Sequence, residues 1–226
     1  MGAVDRMRRR AIAAAVVITS VGATTARGAL MESYKRPNVG FTAALKATGK
    51  VLDVEYVVSN QTDRTVYVFD RTARFANGKV VVEPDRMFVA LNGTDEVRIL
   101  HAFMGPPRSR DVNRRPPVLA TPVAPRAELR RKLALSLPLH ENVQFDSADD
   151  APDATPVVVK RVRLIVGWVE QRPGMTVAPQ PTAAGEEIKL SGGWGQPVQW
   201  LSEMAADRAV PVAPHREPFE RELVLG

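Results

Sequence analysis

Two runs of alternating apolar and polar residues, "VLDVEYVV" and "TVYVFDR", flank the polar stretch "SNQTD" within residues 51–71. Apolar side chains at every second position line one face of a strand. A chain built on this pattern must therefore find a sheet with one covered face. Asn60, Gln61, Thr62 and Asp63 are turn formers, so the segment predicts a β-hairpin closed at 60–63.

The same period recurs along the chain. "VGFTAALKA" from Val39, "GKVVVE", "RMFVAL" and "EVRILHAFM" read as strands, and Asn92-Gly93 between the last two favours a tight hairpin turn. In "EVRILHAFM" neither alternate set is polar, which places that strand inside a sheet. Residues 105–127 contain six Pro and predict a long irregular connection. Strand signal resumes in "ELRRKLALSLPL", where Arg131 falls on the Leu129, Leu133 and Leu135 face and is expected near a sheet end. "VVVKRVRLIVGWVE" is the expected central strand, with Val162, Leu164, Val166 and Trp168 on one face. Residues 171–187 read as a loop. "QPVQWLSEMAADRA" has Val198, Leu201, Met204 and Ala205 at helical spacing after Pro197 and predicts a short helix. "EPFERELVLG" closes the chain as a last strand.

These elements predict an all-β fold, an antiparallel immunoglobulin-like β-sandwich with long Pro-rich loops and a short C-terminal helix. Residues 1–29 are expected to be a signal peptide: Arg6, Arg8, Arg9 and Arg10 precede a short apolar run, Ala11 to Ala23, followed by small residues. That run is shorter than the roughly 20 residues that span a bilayer, which favours a cleaved leader over an uncleaved anchor. Residues 30–226 then form a single sandwich domain in the periplasm or outside the cell. Without Cys the domain has no disulfides and depends on apolar burial.

The formal charge of +6 falls to +3 when the leader is removed through Ala26, which takes away four Arg and one Asp. So small an excess does not support nucleic-acid binding, and membrane contact is confined to the N-terminal segment. His101, His140 and His215 lack a second ligand at metal spacing, no G-x-S-x-G is present, and the "DSADDAPD" acids do not fit a calcium loop. No catalytic residue, metal or cofactor is assigned.

The candidate binding residues are Arg108, Arg110, Arg114, Arg115, Arg130 and Lys132, in a basic Pro-interleaved segment, and Trp194, an indole among Gly192, Gly193 and Gly195. They suit an envelope protein, polysaccharide or anionic polymer. The expected function is that of an exported, non-enzymatic binder. The alternative is an exported hydrolase built from separated residues such as His140, Glu141 and Asp146, for which a deep polar pocket would be the mark.

Overall fold

A computed structural model describes residues 38–76, 79–103, 117–142, 155–183, 185–192, 199–205 and 209–214. The leader, Arg108, Arg110, Arg114, Arg115, Asp146, Trp194, His215 and the expected last strand lie outside the described residues.

Alternation becomes strands throughout. They are β1 (Val39–Thr48), β2 (Val51–Asn60), β3 (Val66–Ala76), β4 (Lys79–Glu83), β5 (Phe88–Asn92), β6 (Glu96–His101), β7 (Val118–Val123) and β8 (Glu128–Ser136). After these come β9 (Leu139–His140), β10 (Val157–Val159), β11 (Arg161–Glu170), β12 (Thr176–Thr182), β13 (Gly185–Ser191), β14 (Gln199–Ala205) and β15 (Val210–Ala213). A three-stranded sheet in the order β1-β2-β8 faces a nine-stranded sheet in the order β12-β13-β7-β3-β11-β6-β5, with β14 beside β11 and β4 beside β3. A small third sheet runs β10-β15-β9. One apolar core joins all three, from Phe41, Leu52, Val54, Leu129 and Leu133 on one side to Val66, Val68, Ile99, Leu164 and Val166 on the other. The fold is all-β and layered as a sandwich.

β11 is central, as its sequence predicts. Val162, Leu164, Val166 and Trp168 are buried on one face, and Ile165 and Val169 are buried on the other. It has β6 on one side and β14 on the other. The hairpin at Asn92-Gly93 also forms, joining β5 to β6 with Asn92 opposite Glu96 and Gly93 at a φ of 69°.

Several expectations are corrected. The ladders are not wholly antiparallel, because β6 runs parallel to β11 and β9 parallel to β15. No helix occurs among the described residues. Gln199–Ala205, expected to be helical, is the strand β14, where the open flank of β11 offers main-chain partners that outweigh a local helical spacing. Residues 171–187 are not a loop, for β12 and β13 pair as a hairpin. The Pro-rich 105–127 segment contains β7, in which Pro122 lies beyond the stretch paired with β13 and so leaves no ladder donor missing on that side.

Residues 51–71 are not a hairpin either. β2 pairs with β1 and β8, whereas β3 pairs with β7, β11 and β4, so the polar hinge carries the chain from one sheet to the other. Asn60, fully buried, makes this corner. Its Oδ1 accepts from the Thr62 amide at 2.9 Å and the Thr62 hydroxyl at 2.7 Å, the local turn that its residue type favours. Its Nδ2 donates to the carbonyls of Arg64 (2.8 Å), Val123 (2.9 Å) and Ala124 (3.0 Å). The last two belong to the crossing from β7 to β8, so one amide fastens both sheet changes. Replacement Asn60→Ala takes this donor from the Val123 and Ala124 carbonyls and is expected to cost on the order of 3 kcal/mol. Urea denaturation checks this, and a loss under about 0.5 kcal/mol would contradict the pinning role.

Candidate functional site

The polar groups most suited to chemistry sit between the sheets. On β3, Val66, Val68 and Asp70 share the core-facing row, and the β3–β7 register shifts by one between Val68 and Arg71, next to Asp70. Such an irregularity re-aims nearby side chains. On β8, Arg131 shares the inward row with Leu129 and Leu133. Its guanidinium bonds the Asp70 carboxylate across the gap and donates to Thr121 Oγ1 on β7 at 3.0 Å. Arg131 therefore stands midway along β8, not near a sheet end as its sequence suggested. The tolerance comes from its opposite charge in the facing sheet.

A second polar link runs alongside. Tyr56, opposite Arg131 across the β2–β8 ladder, places its hydroxyl 2.7 Å from His101 Nδ1 on β6. His101 Nε2 lies 3.2 Å from the Arg86 carbonyl, which also accepts from the Thr72 hydroxyl at 2.7 Å. A carbonyl only accepts, so Nε2 carries the proton and the tyrosine hydroxyl donates to Nδ1. The imidazole is thus neutral in this arrangement. Desolvation dominates its chemistry and brings its pKa down from 6.5 to about 4, with the Asp70 charge opposing the shift. Burial, aided by Asp70, likewise raises the Tyr56 phenol well above its ordinary value. Asp70, Tyr56 and His101 are all within 2% of full burial. No substrate reaches them while the sheets are closed, and the cluster acts as a tie between layers.

Among the described residues, two open concavities lie elsewhere. The outer face of the three-stranded sheet has a shallow basin of about 360 Å³ bordered by Thr42, Ala44, Glu55, Val57, Arg130 and Lys132. A cleft of about 480 Å³ lies between the turn after β4 and the β8–β9 region. Its floor is Met87, Val89 and Leu139, and Asp85, Arg86, His140 and Asn142 stand at its border.

Of the residues expected to bind, Arg130 and Lys132 are on the outer face with side chains 73% and 75% exposed, paired respectively with Glu128 and Glu55. Burial does not hold these ion pairs, so each is worth little and is exchangeable. Of the residues expected for a hydrolase, His140 and Glu141 are among the described residues and Asp146 is not. His140 is exposed, whereas Glu141 is buried and accepts the Leu91 amide at 2.9 Å through Oε1. Among the described residues no three His, Asp or Glu side chains come together as a cation site. Sequence reasoning passed over Tyr56 and Asp70, although Asp70 in the Val66–Val68 row carried the same signal as Arg131 in the Leu row: a lone charge on an apolar face. No protein-family model, curated protein or solved structure matches the chain.

The neutral imidazole fixes a pH dependence. With a folded pKa near 4 and an unfolded value near 6.5, the unfolded chain binds the extra proton between those limits. Stability is therefore complete above about pH 6.5 and falls as the pH drops toward 4, by about 3 kcal/mol from this group. Denaturation midpoints measured from pH 7 to 4 should show the fall, and His101→Gln should flatten it. An unchanged slope in His101→Gln would assign the acid sensitivity to other groups.

Proposed function

We propose that this protein is an exported, non-enzymatic β-sandwich of immunoglobulin-like type that binds another component of the cell envelope. The observation that carries this reading is the use made of the polar groups best suited to catalysis. Asp70, Arg131, Tyr56 and His101 are consumed in joining the two sheets, and Glu141 in holding the Leu91 amide. Among the described residues what remains accessible is shallow: a basin rimmed by Arg130 and Lys132 and an open cleft with an apolar floor. Surfaces of this kind suit association more than bond-making.

The Arg-rich leader supports export, and the cations from Arg108 to Lys132 supply a surface for an acidic protein or anionic polymer. Trp194 adds an aromatic contact. In this reading Arg108, Arg110, Arg114 and Arg115 are the cations of that segment that make the contact. Exposed charges are screened within about 8 Å at physiological ionic strength. Co-sedimentation with anionic vesicles or isolated envelopes should therefore weaken as salt rises, and the quadruple replacement of those four Arg by Ser should reduce it with little change in stability. Equal retention of parent and variant at every salt concentration would contradict the basic-segment contact.

A further inference from the structure

The phase of the β2–β8 ladder determines which main-chain groups of β8 lack a neighbour. The Leu137 amide donates to the Lys50 carbonyl at 2.8 Å, and at the far end the Asn60 amide donates to the Ala127 carbonyl at 2.9 Å. Both bonds fit one uninterrupted antiparallel register, in which alternate residues bond to the partner strand. Leu129, Arg131, Leu133 and Leu135 thus turn their amides and carbonyls toward β2. Those of Glu128, Arg130, Lys132, Ala134 and Ser136 point the other way, where no strand lies among the described residues.

Two other edges are closed off. β12 ends the large sheet with Pro179 and Pro181, two residues apart, so both missing donors fall on its open side. At β5 the Val89 amide donates to the Asn142 carbonyl at 3.1 Å and the Leu91 amide to the Glu141 carboxylate. β8 carries Arg130 and Lys132 on its first half, a common guard against strand pairing. Its Ala134–Ser136 half has no charge, Pro or bulge. That half borders the 480 Å³ cleft, where Asp85 is exposed and has no ion-pair partner among the described residues.

We propose that the Ala134–Ser136 edge and the adjoining cleft take up an extended segment of a partner polypeptide by strand addition. The outward amides and carbonyls of Ala134 and Ser136 supply the ladder, while an apolar side chain rests on Met87, Val89 and Leu139. Asp85 at the border selects a basic side chain on the same segment by charge complementarity. This inference rests on the reading of the protein as a binding module and narrows the partner to a protein with an exposed apolar and basic strand.

The test uses the purified protein and an acetylated, amidated hexapeptide of alternating Thr and Val closed by Lys. Titration followed by amide NMR should move the Ala134 and Ser136 signals and slow their hydrogen exchange. Ala134→Pro removes one outward donor and leaves the bonds to β2 intact, so it should weaken binding about tenfold at an unchanged denaturation midpoint. Asp85→Asn should weaken the Lys peptide but not its Gln counterpart. No binding at millimolar peptide, or equal binding by a folded Ala134→Pro variant, would overturn the proposal. Self-association of the parent that Ala134→Pro abolishes, with no peptide uptake, would assign the edge to a second copy and overturn it as well. Vesicle co-sedimentation of Ala134→Pro is the control: if retained, the module reading survives a failure here.

Discussion

Between two apolar sheets, a single pair of opposite charges decides how the layers meet. Removing Asp70 from water costs several kcal/mol, and the Arg131 guanidinium, itself partly exposed, offsets that cost. The Asp70 carboxylate is not tolerable in the core alone. Because alternate residues of a strand face opposite ways, a one-residue slip of β8 would turn Arg131 outward and strand Asp70. The pair therefore fixes which row of the three-stranded sheet lies over β3. Tyr56 and His101 add a neutral link in the same layer, close enough for Asp70 to influence both. Asn60 performs the complementary task at the end of the sandwich, where the chain changes sheets.

This division of labour bears on function. Asp70, Tyr56 and His101, buried between the layers, have lost their access to solvent, while Arg130, Lys132 and Asp85 stand on exposed faces. Arg130 and Lys132 stand on the far side of the same strand that sends Arg131 inward. One strand thereby serves the core with one set of side chains, the surface with the other, and an open edge with its backbone.

The strands were legible because alternation is local: β1, β2, β6, β8 and β11 could all be read from apolar period, and so could the burial of Val162, Leu164, Val166 and Trp168. Partner choice was not. The turn chemistry of Asn60–Asp63 serves a hairpin and a sheet-crossing corner equally well, and only the distant carbonyls of Val123 and Ala124 separate the two. Gln199–Ala205 kept a helical spacing while its fate was decided by the open flank of β11. At the candidate site, Arg131 on a Leu face signalled an unusual environment. Its answer, Asp70, lies 61 residues away, and sequence spacing says nothing about that meeting.

A double-mutant cycle on Asp70→Ala and Arg131→Ala tests most directly whether this pair joins the sheets. Arg131→Ala strands the buried Asp70 carboxylate and should cost about 3–5 kcal/mol in urea denaturation, whereas Asp70→Ala leaves the partly exposed Arg131 unpaired and should cost less. The double variant removes both charges and should fall well short of the sum, with a coupling of about 2 kcal/mol or more. Additive losses within about 0.5 kcal/mol would show that the two charges are energetically independent, and would contradict the tie on which this account of the fold depends.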